Sequence, residues 1–186
     1  HTRYASDWSS DVCSSDLIVT VYPRIRQDLA AIGHGGYAVE LVDRLLPDGA
    51  PVPRLFRLLV SYLEHLDQGG ASLSGRRFFE TNLLNILGYR LSLDACAACG
   101  VDLPADAARR AGAAGTVLCT GCGRYGAPLS AETVRLLQRC LGTGRFGTVV
   151  FPPEALGEAG PLLDDAIGAH LTRPLNSLAF LRQLTP

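Results

Sequence analysis

Four cysteines, arranged as two C-x-x-C pairs, are the residues of this chain with the clearest chemistry. Cys96 and Cys99 form the first pair, Cys119 and Cys122 form the second, and nineteen residues separate the two pairs. A tetrahedral Zn²⁺ takes four thiolates at about 2.3 Å, and this spacing is typical of a four-cysteine zinc site. Because four thiolates complete the coordination shell, the pattern predicts a structural zinc with no open position for a substrate.

Two other uses of these cysteines remain open at this point. A thioredoxin-like redox pair needs one C-x-x-C at the start of a helix in a βαβ unit, whereas this chain has two pairs and no such unit in its pattern. Structural disulfides belong to exported proteins, and no signal-peptide pattern precedes the cysteines. A glycine, Gly100 or Gly123, directly follows each pair, where it would let the backbone turn beneath a metal.

The remaining polar residues do not indicate an active site. Asp164 and Asp165 are adjacent, and adjacent residues on a helix do not face each other. His34 lies between glycines, whereas His65 and His170 each lie in a separate helical pattern. Neither a G-x-x-x-x-G-K-[ST] phosphate loop nor a G-x-S-x-G nucleophile motif occurs. We therefore predict no catalytic residues and a protein that is not an enzyme. The alternative is an enzyme whose site residues converge from distant positions.

Arginines on two successive helical patterns suggest a surface for a binding partner. Arg54 and Arg57 lie three residues apart on one predicted helix, and Arg76 and Arg77 open the next one. Apolar residues accompany them in both patterns: Leu55, Phe56, Leu59, Phe78 and Phe79. Two such helices could hold an acidic peptide with an apolar end, because a guanidinium grips a carboxylate with two hydrogen bonds. The alternative is an apolar core beneath a solvated arginine surface.

The composition describes an ordinary globular chain. Of 186 residues, 47% are hydrophobic and 19% are charged, and the formal net charge of −1 gives no argument for nucleic-acid binding. No apolar run approaches the roughly 20 residues of a membrane span, so we expect no membrane association and a cytoplasmic location. The sequence contains no Met, and we therefore expect that His1 is not the encoded start.

The predicted fold is mostly α: a helical bundle-like domain with an inserted four-cysteine zinc ribbon. Residues 1–17 are rich in Ser and Asp and resemble the translation of sequencing-adapter read-through, so we treat them as a non-native or disordered leader. An apolar, β-prone run occupies residues 18–22. The helical domain is expected to cover residues 23–186, with the zinc ribbon inserted at about 94–127.

Apolar residues at helical spacing predict the individual helices. These helices are expected at 23–32, 37–46, 53–66, 74–87, 131–141, 154–170 and 176–184. Four residues at 33–36, Gly-His-Gly-Gly, are expected to separate the first two helices, because glycine disfavours a helix interior. Between the cysteine pairs, residues 101–118 are expected to form a loop with one short strand at 116–118.

Six segments between residues 18 and 186 together resemble a known protein family. The segments are Tyr22-Pro-Arg-Ile-Arg-Gln-Asp-Leu, Tyr37-Ala-Val-Glu-Leu, Leu55-Phe-Arg-Leu-Leu, Phe78-Phe-Glu-Thr-Asn-Leu-Leu-Asn-Ile-Leu-Gly88-Tyr89, Leu93-Asp-Ala-Cys96-Ala-Ala-Cys99-Gly100 and Ala169-His-Leu-Thr-Arg-Pro-Leu-Asn-Ser177-Leu. Their order resembles the C-terminal portion of the RecO family of bacterial DNA repair and recombination mediators. The resemblance implies an N-terminal OB-fold ahead of a helical domain with a zinc ribbon, so that 18–22 would be the last strand of an OB-fold missing here.

The resemblance also implies a function and a set of partners. RecO-like proteins anneal complementary strands and, with RecR, help load recombinase onto DNA coated by single-strand-binding protein, whose acidic C-terminal tail they bind on the helical domain. Single- and double-stranded DNA would be bound mainly through the missing OB-fold, in the cytoplasm at the nucleoid. An unrelated zinc-ribbon protein that binds nucleic acid or acts as a scaffold is the alternative. The long helical run before Cys96 argues against it, since an isolated ribbon needs no such run.

Overall fold

The computed structural model describes residues 21–46, 52–103, 107–111 and 114–184. The predicted leader at 1–17, and all but two residues of the run at 18–22, lie outside this part. After a single 3₁₀ turn at Ile25–Gln27, the described elements are α1 (Leu29–Leu45), α2 (Pro53–Asp67), α3 (Leu73–Ile86), β1 (Ala107–Ala111), β2 (Thr116–Leu118), β3 (Ala127–Ser130), α4 (Ala131–Gly142), α5 (Pro153–Gly168) and α6 (Asn176–Leu184). A mostly α fold with a small sheet between α3 and α4 confirms the predicted fold class.

A single helix, α1, replaces the two helices that were predicted on either side of residues 33–36. The predicted break is wrong, because contacts between helices outweigh the low helix propensity of glycine. Gly33 and Gly35 are buried, and a Cβ on Gly35 would lie 3.5 Å from Leu63 and 3.8 Å from Leu66 of α2. Gly35 therefore packs against α2 while α1 continues through all four residues.

The predicted helices α2 and α3 are confirmed, with recognisable signals at their ends. Pro53 begins α2, where its missing N–H leaves no hydrogen bond unmade. The Ser72 hydroxyl accepts the Gly75 N–H at 3.1 Å and caps α3. Gly88 ends α3 with φ +85, in the left-handed region that glycine favours. The three helices predicted after the ribbon correspond to α4, α5 and α6.

An aromatic cluster joins α2, α3 and the turn between α4 and α5. Tyr62 is fully buried and stacks on Phe79, with ring centroids 4.8 Å apart. Phe146, from the turn, stacks on Tyr62 at 5.2 Å and lies 4.6 Å from the ring of Phe78. His65 stacks on Phe146 at 5.4 Å. The side chain of Phe146 therefore fills the space between α2 and α3.

The inserted sheet has the strand order β2-β1-β3, and both strand pairs are antiparallel. Only β2 was predicted from the sequence. The strand β1, AARRA, contains no β-branched or aromatic residue, so its local propensity does not indicate a strand. In β3, Pro128 obscures the pattern, but proline is tolerated in a strand at the edge of a sheet. The expectation of a loop from 101 to 115 is therefore wrong at β1.

The sheet shares the apolar core of the helical domain. Ala108, Val117 and Leu129, one from each strand, are buried in the same apolar cluster as α5. Gly115, in the turn between β1 and β2, has φ +66, and a Cβ there would lie 2.5 Å from the Cβ of Ala166 in α5. The ribbon is thus an extension of the helical core rather than an independent module.

Polar contacts hold the sheet against α5. Glu158 accepts hydrogen bonds from the Ser130 N–H and hydroxyl, both at 2.8 Å, and from the Thr133 hydroxyl at 2.5 Å. Burial opposes ionisation of this carboxyl, but the three hydrogen bonds hold the pKa of Glu158 below its ordinary value. Arg110 of β1 forms an ion pair with Asp165 of α5.

The last helix is fixed by a carboxylate from the first one. Glu40 of α1 accepts the Asn176 N–H at 3.0 Å and the Ser177 N–H at 2.8 Å. N–H groups at the start of a helix have no acceptor within the helix, so Glu40 supplies one for α6. These contacts place α6 beside α1. Within the described ranges, no helix has the length and apolar character needed to cross a membrane.

Candidate metal centre and arginine network

The structure brings the four predicted ligands together beside the inserted sheet. The Sγ atoms of Cys96, Cys99, Cys119 and Cys122 all lie within 4.8 Å of one another, and those of Cys99 and Cys119 are 3.9 Å apart. Zinc–sulfur bonds of about 2.3 Å in a tetrahedron would place the sulfurs roughly 3.8 Å apart. The four thiols therefore fit a metal ion held by four cysteines.

The two C-x-x-C turns have the same backbone pattern. In the first turn, the Gly100 N–H donates to the Cys96 carbonyl at 2.9 Å. In the second, the Gly123 N–H donates to the Cys119 carbonyl at 2.8 Å. The Cys122 N–H also donates to the Cys119 sulfur at 3.4 Å. Each turn is thus closed by its own hydrogen bonds, and the two turns converge their sulfurs on one point.

The two glycines that follow the cysteine pairs are needed for different reasons. Gly100 has φ +72, the left-handed conformation expected for a turn beneath a metal. At Gly123 the requirement is space, because a Cβ there would lie 2.6 Å from the Cβ of Arg109 in β1. The sequence indicated the role of glycine in the turn at Gly100. The need for space at Gly123 depends on β1, a strand that was not predicted.

The cysteines differ in exposure. Cys96 is buried, whereas Cys99 and Cys122 are exposed. Backbone N–H groups, that of Cys119 most strongly, lower the pKa of the Cys96 thiol to about 6, which favours the thiolate that metals bind. Cys140 lies outside the cluster, fully buried on α4, where burial raises its pKa to about 12. Cys140 is therefore a small core residue and not a fifth ligand.

Arg76 and Arg77 belong to a buried network between α1, α3 and α5. Glu80 is fully buried and accepts hydrogen bonds from Arg76 Nε and Arg77 Nη1, both at 2.7 Å. The Tyr37 hydroxyl donates to the same carboxylate at 2.5 Å, and Asp164 accepts from Arg77 at 2.9 Å. Burial alone would raise the pKa of Glu80, but the two guanidinium groups hold it below its ordinary value.

The four predicted partner-binding arginines do not surround one groove. Arg54 and Arg57 are exposed on α2, whereas Arg76 and Arg77 are only 6% and 8% exposed. Glu80 holds Arg76 and Arg77 in the interior, whereas Arg54 and Arg57 line one surface concavity together with apolar residues. We use the name α2 depression for the shallow concavity lined by Arg54, Arg57, Leu58, Ser61, Ile86, Gly144 and Phe146.

Sequence reasoning missed Glu80, although a signal for it exists. It follows Arg77 by three residues and Arg76 by four, the spacing of ion pairs within a helix. No comparable signal marks Phe146, which reaches α2 and α3 from a distant turn. A larger cleft of about 410 Å³ lies between α1, α5 and α6, and its lining is mainly apolar but includes Asp164 and Arg182. We refer to it as the α6 cleft.

Comparison with known proteins identifies the family. The family model described as Recombination protein O C terminal matches residues 26–179. The chain belongs to the RecO family. DNA repair protein RecO of Geobacter sulfurreducens is 93% identical over 169 residues, which are 91% of this chain and 70% of that protein. DNA repair protein RecO of Geobacter metallireducens is 70% identical over 91% of this chain and 69% of its own length.

A more distant relative supports the same assignment. DNA repair protein RecO of Pelobacter propionicus is 46% identical over 165 residues, covering 89% of this chain and 67% of that protein. The RecO resemblance derived from the sequence segments is thereby confirmed. Membership in the RecO family also excludes the alternative of an unrelated zinc-ribbon protein.

Proposed function

We propose that this RecO-family chain acts in DNA repair and homologous recombination as a mediator without catalytic activity. The observation that carries this proposal is the family match across residues 26–179, together with relatives that are named DNA repair protein RecO. In this role the protein helps to displace or bypass single-strand-binding protein, to load recombinase and to anneal strands, with RecR as a partner. It binds single- and double-stranded DNA mainly through an OB-fold domain, in the cytoplasm at the nucleoid.

The metal in this proposal is a structural Zn²⁺ held by Cys96, Cys99, Cys119 and Cys122. Four sulfurs at near-tetrahedral spacing, with one of the four thiols buried, support this assignment. The ion would cross-link the two C-x-x-C turns, whose cysteines are free thiols. Because such a site does not exist in an unfolded chain, its binding free energy would add to the stability of the ribbon.

The partner surface in this proposal is the α2 depression, and its ligand is the acidic tail of single-strand-binding protein. Arg54 and Arg57 are exposed and form no ion pair with any described residue, so their charge is available to a ligand. Apolar side chains of Leu58, Ile86 and Phe146 lie beside them. An acidic peptide with an apolar end matches this combination of charge and apolar surface. The α6 cleft is less suited to an acidic ligand, because its lining pairs one basic residue, Arg182, with one acidic residue, Asp164, and so offers no excess of positive charge.

A peptide titration tests the partner surface. A labelled acidic tail peptide with a free carboxyl end is titrated against the wild type and Arg57→Glu, with fluorescence anisotropy as the readout. Charge reversal at the rim is expected to weaken binding about tenfold and to flatten its dependence on salt. Arg173→Glu, at an exposed position outside the depression, is the matched control and is expected to bind like the wild type.

Two outcomes would contradict the proposed surface. Equal affinity of Arg57→Glu and the wild type would remove the α2 depression as the tail site. A loss of binding in Arg182→Glu, with Arg57→Glu unaffected, would place the tail in the α6 cleft instead. Absence of tail binding by the wild type under all salt conditions would contradict the mediator function itself.

A further inference from the structure

The second cysteine turn projects an aromatic side chain into solvent. Tyr125 is 97% exposed and lies in a turn that the Gly126 N–H closes by donating to the Gly123 carbonyl at 2.7 Å. Arg124, its neighbour in the turn, is also exposed and forms no ion pair with a described residue. Arg124 and Tyr125 are therefore consecutive, exposed residues of one hydrogen-bonded turn.

The Cβ of a second arginine, Arg109 of β1, lies close to the backbone of this turn. A Cβ on Gly123 would lie 2.6 Å from the Cβ of Arg109, and a Cβ on Gly126 would lie 3.2 Å from it. The Nε–H of Arg109 is buried and has no hydrogen-bond partner among the residues that the structure describes. Buried donors without an acceptor are rare in folded proteins, and a guanidinium has only donors to offer. Arg109 as a whole is only half-buried, so the terminal nitrogens of its guanidinium, and not Nε, are the donors that a ligand with acceptor oxygens would contact.

We propose that Arg109, Arg124 and Tyr125 form a contact site for single-stranded DNA on the zinc ribbon. A base stacks on the exposed ring of Tyr125, and phosphodiester oxygens of the same strand accept hydrogen bonds from the two guanidinium groups. Aromatic rings beside arginines are the usual combination for binding single strands. In a duplex the faces of the bases are already stacked, so a lone protruding ring selects an unpaired strand. The inference rests on the proposed function only in its choice of DNA as the polymer.

The cysteine turn preorganises the proposed DNA-contact site. The turn at 123–126 directly follows the cysteine turn that contains Cys119 and Cys122, two of the four clustered cysteines, and the Gly123 N–H donates to the Cys119 carbonyl at 2.8 Å. The ring of Tyr125 is thus presented from an ordered backbone. Because less conformational freedom is lost when a strand binds to such a backbone, the contact contributes more to affinity. The site is separate from the α2 depression, which belongs to a different part of the fold.

An oligonucleotide titration of the whole 186-residue chain tests the proposal. A fluorescein-labelled oligothymidylate of about 16 nucleotides, long enough for one single-strand site, is followed by anisotropy at low salt. Tyr125→Ala is expected to raise the Kd about fivefold or more, because stacking of one base contributes at least that factor. Tyr125→Phe keeps the ring and is expected to remain within about twofold of the wild type.

The arginines are tested by the salt dependence of binding. Loss of one phosphate contact in Arg124→Gln should reduce the slope of log K against log salt by about 0.7. Arg173→Gln, an exposed arginine outside the ribbon, is the matched control and should leave the slope unchanged. Melting temperature and bound zinc are measured for each variant, and both are expected to match the wild type because the altered side chains are exposed.

Several results would overturn the inference. Equal affinity of Tyr125→Ala and the wild type would remove the stacking contact, and so would equal losses in Tyr125→Ala and Tyr125→Phe. Tighter binding to oligouridylate than to oligothymidylate would overturn the choice of DNA. If the chain binds the acidic tail peptide but no oligonucleotide, this inference fails while the proposed function stands. If the oligonucleotide binds at Tyr125 and the tail peptide does not bind, the proposed function fails while this inference stands.

Discussion

Replacing the buried carboxylate of α3 is expected to destabilise the whole chain. Glu80→Gln removes the charge that two guanidinium groups share at 2.7 Å, and leaves them with Asp164, whose side chain is 43% exposed. Removing one partner of a buried ion pair typically costs about 3–5 kcal/mol. Because Asp164 stays in place, we expect the lower end of this range. For a chain of this size, about 3 kcal/mol corresponds to a fall in Tm of roughly 6–12 °C.

The assay is urea unfolding followed by circular dichroism, together with a matched control. Asp94→Asn removes the ion pair between Arg90 and Asp94, which is 3.3 Å long and joins two exposed side chains. This loss is expected to change the free energy of unfolding by less than about 1 kcal/mol. In a double-mutant cycle, Glu80→Gln and Arg77→Met should be coupled by about 1 kcal/mol or more, because the two residues are in contact.

One result would refute this reasoning. If Glu80→Gln and Asp94→Asn lowered the free energy of unfolding equally, Arg76 and Arg77 would have to be solvated rather than buried. The pH dependence gives a further check. The folded-state pKa of Glu80 lies below its ordinary value of 4.5, so its stabilising contribution is present above pH 4.5 and is lost as the pH falls through the folded-state pKa. Glu80→Gln should lack that part of the acid sensitivity.

Two further predictions concern His34 and the metal centre. Burial, and then the charge of Arg76, lower the pKa of His34 from 6.5 to about 4, so between these values the unfolded chain binds more protons and stability falls with falling pH. By pH 5 the loss should be about 2 kcal/mol, and denaturant unfolding at pH 7 and pH 5 should show a smaller difference for His34→Gln than for the wild type. Cys119→Ser is expected to abolish zinc binding by mass-spectrometric metal analysis, whereas Cys140→Ala, a change outside the cluster, should retain it. Retention of zinc by Cys119→Ser would contradict the ligand assignment.

The sequence predicted best those helices whose own residues specify them. In α2 and α3, apolar residues recur at helical spacing, and Pro53, Ser72 and Gly88 mark the ends. Prediction failed where a distant contact decides the local structure. α1 runs through its glycines, and one of them, Gly35, packs against Leu63 and Leu66 of α2. β1 forms a strand because β2 and β3 pair with it on both sides. Neither contact is visible in the short segment concerned.

The residues of the candidate sites also differ in how well the sequence predicts them. The four cysteines were predictable from their spacing, because each C-x-x-C turn is a local structure. Only the contact between the two turns is determined by the tertiary structure. The arginines could not be sorted by spacing alone, because Arg57 and Arg76 have similar apolar neighbours along the chain. Their difference in burial depends on Glu80 and on Asp164 of α5. Residue type indicated the chemistry, and only the tertiary structure separated exposed guanidinium groups from buried ones.

The glycines within α1 bear on the order in which the protein folds. Gly33, Gly35 and Gly36 each make a helix less favourable than alanine would by about 0.8–1.0 kcal/mol, so together they cost the isolated segment roughly 3 kcal/mol. With 17 residues, α1 is only slightly longer than the roughly 12–15 residues below which isolated helices are marginal in water. Helical α1 therefore depends on α2, which covers Gly35, and on its contact with α6 through Glu40. We therefore expect α1 to form in a late, cooperative step, and we expect substitutions in the contact between α1 and α2 to act mainly on the rate of unfolding.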